Sequence, residues 1–453
     1  MSPPSLMFAF PRRQIRKPVL PRDAKLAMVV KPNIVQWYSL ITGNQTPERG
    51  WNMNNSSIRV QTALIYLLAF VCAIGNPVVL PSLPFIMQDF GLSPLEMGLI
   101  ISVYALPGVI VIPLYGLLSD RIGRKPLLLA GLFLCGTGSL ICFIAPNFSW
   151  LLAGRALQGL SITPLEAMCN TLVSDLFEGR ERMRFVNKAT AVQYFSVAVT
   201  PVIVSAILNV SGSWRFGFLF GVLLGFGSLA LCFPISVPYK PSKALSLKNY
   251  GKQLRSLLSS TRVISLFSVR IGSALLIFGA VYPHVSLLVD QKLHLDPEYA
   301  AILFSLYAAG MFIGAMLSQF CMSRLSPRSI GLLGGLQLSL AMLLLLTASS
   351  MLYAAPALLL VGTGSGTLNS CCAAHVSLAS TPDTRGSVMS AYSTMFRLGQ
   401  SIAPPIFGIG FQIGGFTPLF GSALALALAL TTAAALAFNY ADKMEHLQHQ
   451  LHV

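Results

Sequence analysis

The sequence predicts an all-α membrane protein of twelve transmembrane helices in two six-helix halves, and three observations predict it. The chain of 453 residues is 54% hydrophobic and only 10% charged, and apolar stretches of about 20 residues, each long enough to cross a ~30 Å hydrocarbon core, recur from Thr62 to Phe438. These runs are continuous rather than alternating, which excludes a transmembrane β-barrel and leaves a helical bundle to satisfy the backbone in lipid. The chain also repeats itself: "SVYALPG" at 102 returns as "SLYAAGM" at 305, and "SDRIGRKPLLLAGL" at 119 returns in weaker form as "SRLSPRSIGLLGGL" at 323, both at an offset of about 204 residues. Two halves related by an axis along the membrane normal form a site at their interface that is reached from each side in turn, which points to a carrier rather than a receptor.

The formal net charge of +16 does not indicate nucleic acid. All but five of the 31 Lys and Arg lie before the first span, in the loops after even-numbered spans, or at Lys443, and the five exceptions are Arg155, Arg215, Arg270, Lys292 and Arg397. That asymmetry is the positive-inside rule and places both termini in the cytoplasm, with contact to anionic lipid as a side effect. The resulting divisions are a disordered cytoplasmic tail over 1–58, an N-terminal half over 59–237, a basic linker over 238–262, a C-terminal half over 263–440 and a cytoplasmic tail over 441–453. The N-terminal tail has no apolar core of the kind a signal peptide needs, and Met53 is an alternative start. All eight cysteines fall in predicted spans, without metal-ligand spacing.

Taken in order, the spans centre near residues 72, 105, 136, 160, 200, 224, 276, 309, 338, 365, 399 and 428. Span 1, "AIGNPVVLPSLPF", carries Asn76 as its polar candidate. Between spans 2 and 3 lies "GLLSDRIGRKPLLLAG", whose charges interrupt two apolar runs; Gly116 lets helix backbones approach and Gly123 permits a tight turn. Span 4 contains Arg155, with Gln158 on its face at i+3, and Glu166 deeper in the same helix. Eleven residues turn an ideal helix by about 1,100°, so Glu166 points within about 20° of Arg155 and lies ~16 Å away along the axis. An intramembrane Arg or Glu is a functional candidate by default, and a carboxylate there is able to take up and release a proton during a cycle. A permanently paired, structural Glu166 is the plainer alternative, as is an Arg155 bonded to helix-end carbonyls. In span 7, Arg270 reads as a snorkelling side chain. Span 11 places Arg397 near its middle, with Gln400 one turn on and Tyr392 and Phe396 nearby, all suited to a substrate cavity together with Asn76 and Gln158. His284 and His375 read as satisfied histidines near span ends.

With these residues the sequence resembles the major facilitator superfamily, and within it the twelve-span drug:proton antiporter-like group, over about residues 60 to 440. The match is carried by Gly116, Asp120, Arg121, Gly123, Arg124 and Lys125 after span 2, and by "LLAGRALQG" in span 4. The resemblance implies that Asp120 meets the N-terminal dipole of helix 11 and that Arg124 reaches Asp175, a latch that holds the cytoplasmic side shut and breaks on opening. It also implies a role for Arg155 in proton coupling, alongside Glu166, which its own position inside the span marks as the proton-carrying candidate. A merely solvated basic turn is the bland alternative for the loop. Two departures count against simple drug antiport: span 5 reads "AVTPVIVSAIL", with Thr200, Val204 and Ser205 where the group has glycines, and span 1 lacks the acid that several multidrug members place there.

The expected function is proton-coupled secondary transport of a small organic solute across the cytoplasmic membrane by alternating access. One interior acid against Arg155, Arg270 and Arg397 favours an anionic or neutral solute. Efflux of a drug or metabolite is the first reading, uptake of a metabolite or vitamin the second, and a non-transporting sensor the third. The expected partners are a small-molecule substrate, protons and the lipid bilayer; no nucleic acid, cofactor, metal or enzymatic activity is expected.

Overall fold

Twelve helical spans follow one another from Asn55, with no strand among the described residues. The computed structural model describes residues 55–177, 179–235, 261–322, 324–378 and 385–451. Most of the N-terminal tail and nearly all of the basic linker therefore lie outside the described residues. We label the spans α1 to α12. Helix α1 is discontinuous: it runs over Asn55–Ala73, breaks, makes one 3-10 turn at Leu80–Ser82 and resumes over Leu83–Phe90. The cause is local, because Gly75, Pro77, Pro81 and Pro84 crowd this stretch and each proline removes a backbone donor from the helical ladder. Helices α2 (Pro94–Ile122) and α3 (Arg124–Phe143) are joined by Gly123 alone, whose φ of 92° suits glycine.

The N-terminal half continues with α4 (Phe148–Leu176), capped by Asn147 accepting from the Trp150 N–H at 3.1 Å, then α5 (Gly179–Ser211) and α6 (Arg215–Cys232). In the second half, α7 spans 261–292 and alternates α-helix at Thr261–Leu275 and His284–Leu287 with π-helical turns at Leu276–Val281 and Leu288–Lys292. Helices α8 (Pro297–Cys321), α9 (Pro327–Leu346), α10 (Met351–Leu378), α11 (Arg385–Gly414) and α12 (Phe416–Leu451) complete it. Helix α12 thus carries on through most of the segment read as a C-terminal tail.

Nine described helices are long and apolar enough to cross a membrane by length and composition: α2, α3, α5 to α10 and α12. The other three are informative. Helix α1 is cut short by its break, while α4 and α11 are long but carry Arg155, Glu166 and Arg397. A polar span survives in lipid only by turning its polar side chains toward protein or water, so these helices belong at the centre of the bundle.

The halves meet along two helix pairs, α2 with α11 and α5 with α8. Close approach in the first pair depends on small residues: a Cβ on Gly98 would lie 2.8 Å from the Pro404 backbone, and one on Gly408 would lie 2.8 Å from the Pro94 carbonyl oxygen. The core is divided unevenly. One apolar cluster joins the second half to the α1–α2 end of the first through Leu80, Ile86, Met97, Leu208 and Phe218. The rest of the first half, including Leu68, Leu128, Leu165 and Leu172, forms a separate cluster. The two halves therefore share a core at the α1–α2 end and keep separate cores toward the α2–α3 end.

Candidate functional site

Arg155, in the first third of α4, is fully buried with 0% exposure. Its Nε donates to the Ile100 carbonyl at 3.1 Å, its Nη1 to the Gly75 carbonyl at 2.8 Å and Gln158 Oε1 at 2.7 Å, and its Nη2 to Asn76 Oδ1 at 2.7 Å. The Tyr104 ring closes one face of the guanidinium at 4.3 Å. Gln158 in turn donates to Ser139 Oγ at 2.8 Å, so one side chain ties α1, α2, α4 and, through Gln158, α3. A carbonyl released by the break in α1 would be costly in a dry interior, and Arg155 satisfies it. The neighbouring cavity is about 10 Å³, room for a water at most. Asn76 and Gln158 are spent on the same network.

Glu166 lies elsewhere. Its Oε2 accepts from Arg397 Nη2 of α11 at 3.2 Å, and Arg397 Nη1 donates to Gln400 Oε1 at 3.0 Å. The bridge crosses from one half to the other. The Glu166 side chain is 48% exposed and that of Arg397 11%, while Gln400 is buried. Arg155 and Glu166 are thus not brought into one network. Pro164 stands between them in α4, and at different depths the same helix meets different neighbours, α1 to α3 near Arg155 and α11 near Glu166.

Arg270 of α7 does not reach for the helix end. Its guanidinium lies 3.8 Å from the Phe396 ring centroid and 4.9 Å from that of Tyr392, both on α11. Tyr392 is buried, with its hydroxyl donating to Asn369 Oδ1 at 3.2 Å. His284 and His375 each place Nδ1 against a backbone carbonyl, that of Gly279 at 2.9 Å and that of Cys371 at 2.8 Å.

Of the loop after α2, Gly123 makes its turn as expected and Lys125 sits 6.0 Å from the Phe233 ring. The surroundings of Gly116 and the side chains of Asp120, Arg121 and Asp175 lie outside the described residues, and with them the contacts proposed for Arg124. At this end α11 touches α2 through Ser390 Oγ donating to the Ile112 carbonyl at 3.5 Å.

A seal at the opposite end went unread in the sequence. Ser286 Oγ of α7 donates to the Leu80 carbonyl of the α1 break at 2.9 Å, Ser305 Oγ of α8 to the Ala198 carbonyl of α5 at 2.6 Å, and Asn209 Nδ2 of α5 to Glu298 of α8. Beyond it a cavity of about 470 Å³, lined by Gln88, Ser286, Asp290 and Gln291 among others, opens at the α1–α2 face. The proline run of span 1 was the one available signal, since it frees backbone carbonyls for such contacts.

Two six-helix halves, polar central spans and a cross-half ion pair define a multi-pass membrane carrier. The chain belongs to the Major Facilitator Superfamily, whose signature matches residues 65–404 and 266–449. It is 34% identical over 114 residues, 24% of this chain and 28% of the relative, to the bacillibactin exporter of Bacillus subtilis strain 168. It is 25% identical over 244 residues, 53% of this chain and 62% of the relative, to the quinolone resistance protein NorA of Staphylococcus aureus strain MRSA252. The matched segments therefore cover less than two thirds of either relative. The crystal structure of the human organic anion transporter MFSD10 (TETRAN) superposes with a TM-score of 0.63 at 19% identity, covering 83% of this chain and 99% of that one, and shares the fold.

Proposed function

We propose that the protein exports a small anionic or neutral organic solute across the cytoplasmic membrane in exchange for protons, by rocking the half over 59–237 against the half over 263–440, with both termini in the cytoplasm. The observation that carries this reading is the Glu166–Arg397 bridge between α4 and α11. It joins the two halves near the middle of α4, the acid's side chain is half exposed, and it is electrically neutral only while Glu166 is ionised. A proton on Glu166 removes the attraction and frees Arg397, so proton binding has a different free energy in the joined and separated arrangements, which is the condition for coupling. Export is supported by what the two relatives are named for, export and drug resistance. Uptake is the second reading and rests on α5, where Thr200 and Ser205 keep buried hydroxyls without a partner in place of glycines.

The test is flux in proteoliposomes holding the purified chain and a solute panel, driven by an imposed pH gradient. Glu166→Gln should reduce gradient-driven accumulation by about tenfold or more while solute exchange without a gradient continues, since a residue needed only for coupling leaves binding intact. Accumulation by the variant at the wild-type rate and pH profile would overturn the coupling role. Faster loading into vesicles oriented for import would decide for uptake.

A further inference from the structure

Three arginines occupy the interior of the bundle, and two are spoken for. Arg155 is consumed by four acceptor oxygens, and Arg397 by Glu166 and Gln400. Arg270 makes neither an ion pair nor a hydrogen bond among the described residues, and its Nε is buried without a partner. A guanidinium held this way, over the Phe396 and Tyr392 rings, has its ring-facing surface satisfied and its hydrogen-bonding edge unused. That edge is a fork matched to a carboxylate. Phe396 also leads outward to Phe278 at 5.4 Å and Phe278 to Tyr282 at 4.7 Å, so the guanidinium stands at the foot of an aromatic wall.

We propose that Arg270 is the anchor of the transported solute, and that the solute class is an aromatic monocarboxylate, its carboxylate forked by the guanidinium edge and its ring set against Phe396 and Phe278. The charge count selects a monoanion. Glu166 and Arg397 neutralise each other, and Arg155 is enclosed by neutral oxygens within the first half, so among the described residues Arg270 presents the one cationic edge still open to a solute; one carboxylate matches that single charge, whereas a dianion would carry an unpaired charge into low dielectric. The aromatic preference follows from the walls, which offer ring faces and few hydrogen-bonding groups. This inference rests on the carrier reading above and assigns a substrate class to that same interior.

The experiment uses matched probes that differ only in charge: benzoate and benzamide, salicylate and salicylamide, 2-naphthoate and 2-naphthamide. Binding to the purified full chain in detergent is measured by titration calorimetry. Each acid should bind the wild type at least about tenfold more tightly than its amide, in the range of one charge-assisted contact. In Arg270→Gln the preference should fall below about twofold, and Arg270→Lys should retain an intermediate one because the charge survives without the fork. Glu166→Gln frees Arg397 and should keep or raise the acid preference while abolishing proton coupling, so a failure of coupling and a failure of the anchor are read out separately. The proposal is overturned if Arg270→Gln keeps the acid preference, if wild type prefers no acid over its amide, or if Arg270→Gln changes only the melting temperature. Should Arg270→Gln not fold to a monodisperse species, Arg270→Lys decides, since an unchanged acid preference together with an unchanged acid affinity there rejects the fork.

Discussion

At the scale of single residues, the interior charges were legible in the sequence and their partners were not. Arg155, Glu166 and Arg397 stand out because an ionisable group inside a span is rare. The Glu166–Arg397 pair, however, joins positions 231 residues apart, and no local period reports such a contact. Helical phase alone put Glu166 on the face of Arg155, and it could not say that this face meets α1 to α3 at one depth and α11 at another. Arg270 reads as a snorkelling side chain in the sequence for a related reason, because its ring partners lie on a helix more than a hundred residues away. The burial of Arg155 carries its own prediction. Arg155→Ala strands the Gly75 carbonyl, Asn76 and Gln158 together, and should cost about 3 kcal/mol or more of stability, in line with removing one member of a buried charged network. Thermal unfolding in detergent checks it; an unchanged midpoint would show that water replaces the guanidinium without loss.

At the scale of elements, twelve helices were predictable because each must be a long apolar run, but their irregularities were not. The break in α1 was written in Gly75, Pro77, Pro81 and Pro84, and the two π-helical turns of α7 have no comparable marker. These irregular stretches sit together at the seal, where Ser286 bonds the Leu80 carbonyl. The pairing of α2 with α11 depends on Gly98 and Gly408 lying against backbone. Gly98→Val or Gly408→Val should wedge the pair apart and shift the population away from the sealed state. On a cysteine-free background, a Leu287→Cys reporter, buried in the parent, should react several-fold faster with a membrane-impermeant thiol reagent once either valine is present. Equal labelling rates would mean that the seal does not depend on that contact.

At the scale of the whole molecule, the loop after α2 is expected to act against the seal, holding the other end shut when the α1–α2 end opens. Asp120→Asn and Arg124→Ala should each cut transport severalfold while insertion and expression stay near wild type, and wild-type flux in both would reject the latch. The uneven division of the core has a further consequence. Because the halves share one apolar cluster at the α1–α2 end, opening that end wets hydrophobic surface, whereas opening the other does not to the same degree. Exposure of apolar surface raises heat capacity, and its penalty shrinks on cooling. The balance between the two faces of this carrier should therefore be a function of temperature even with solute and protons held constant, with the α1–α2 end gaping more often in the cold.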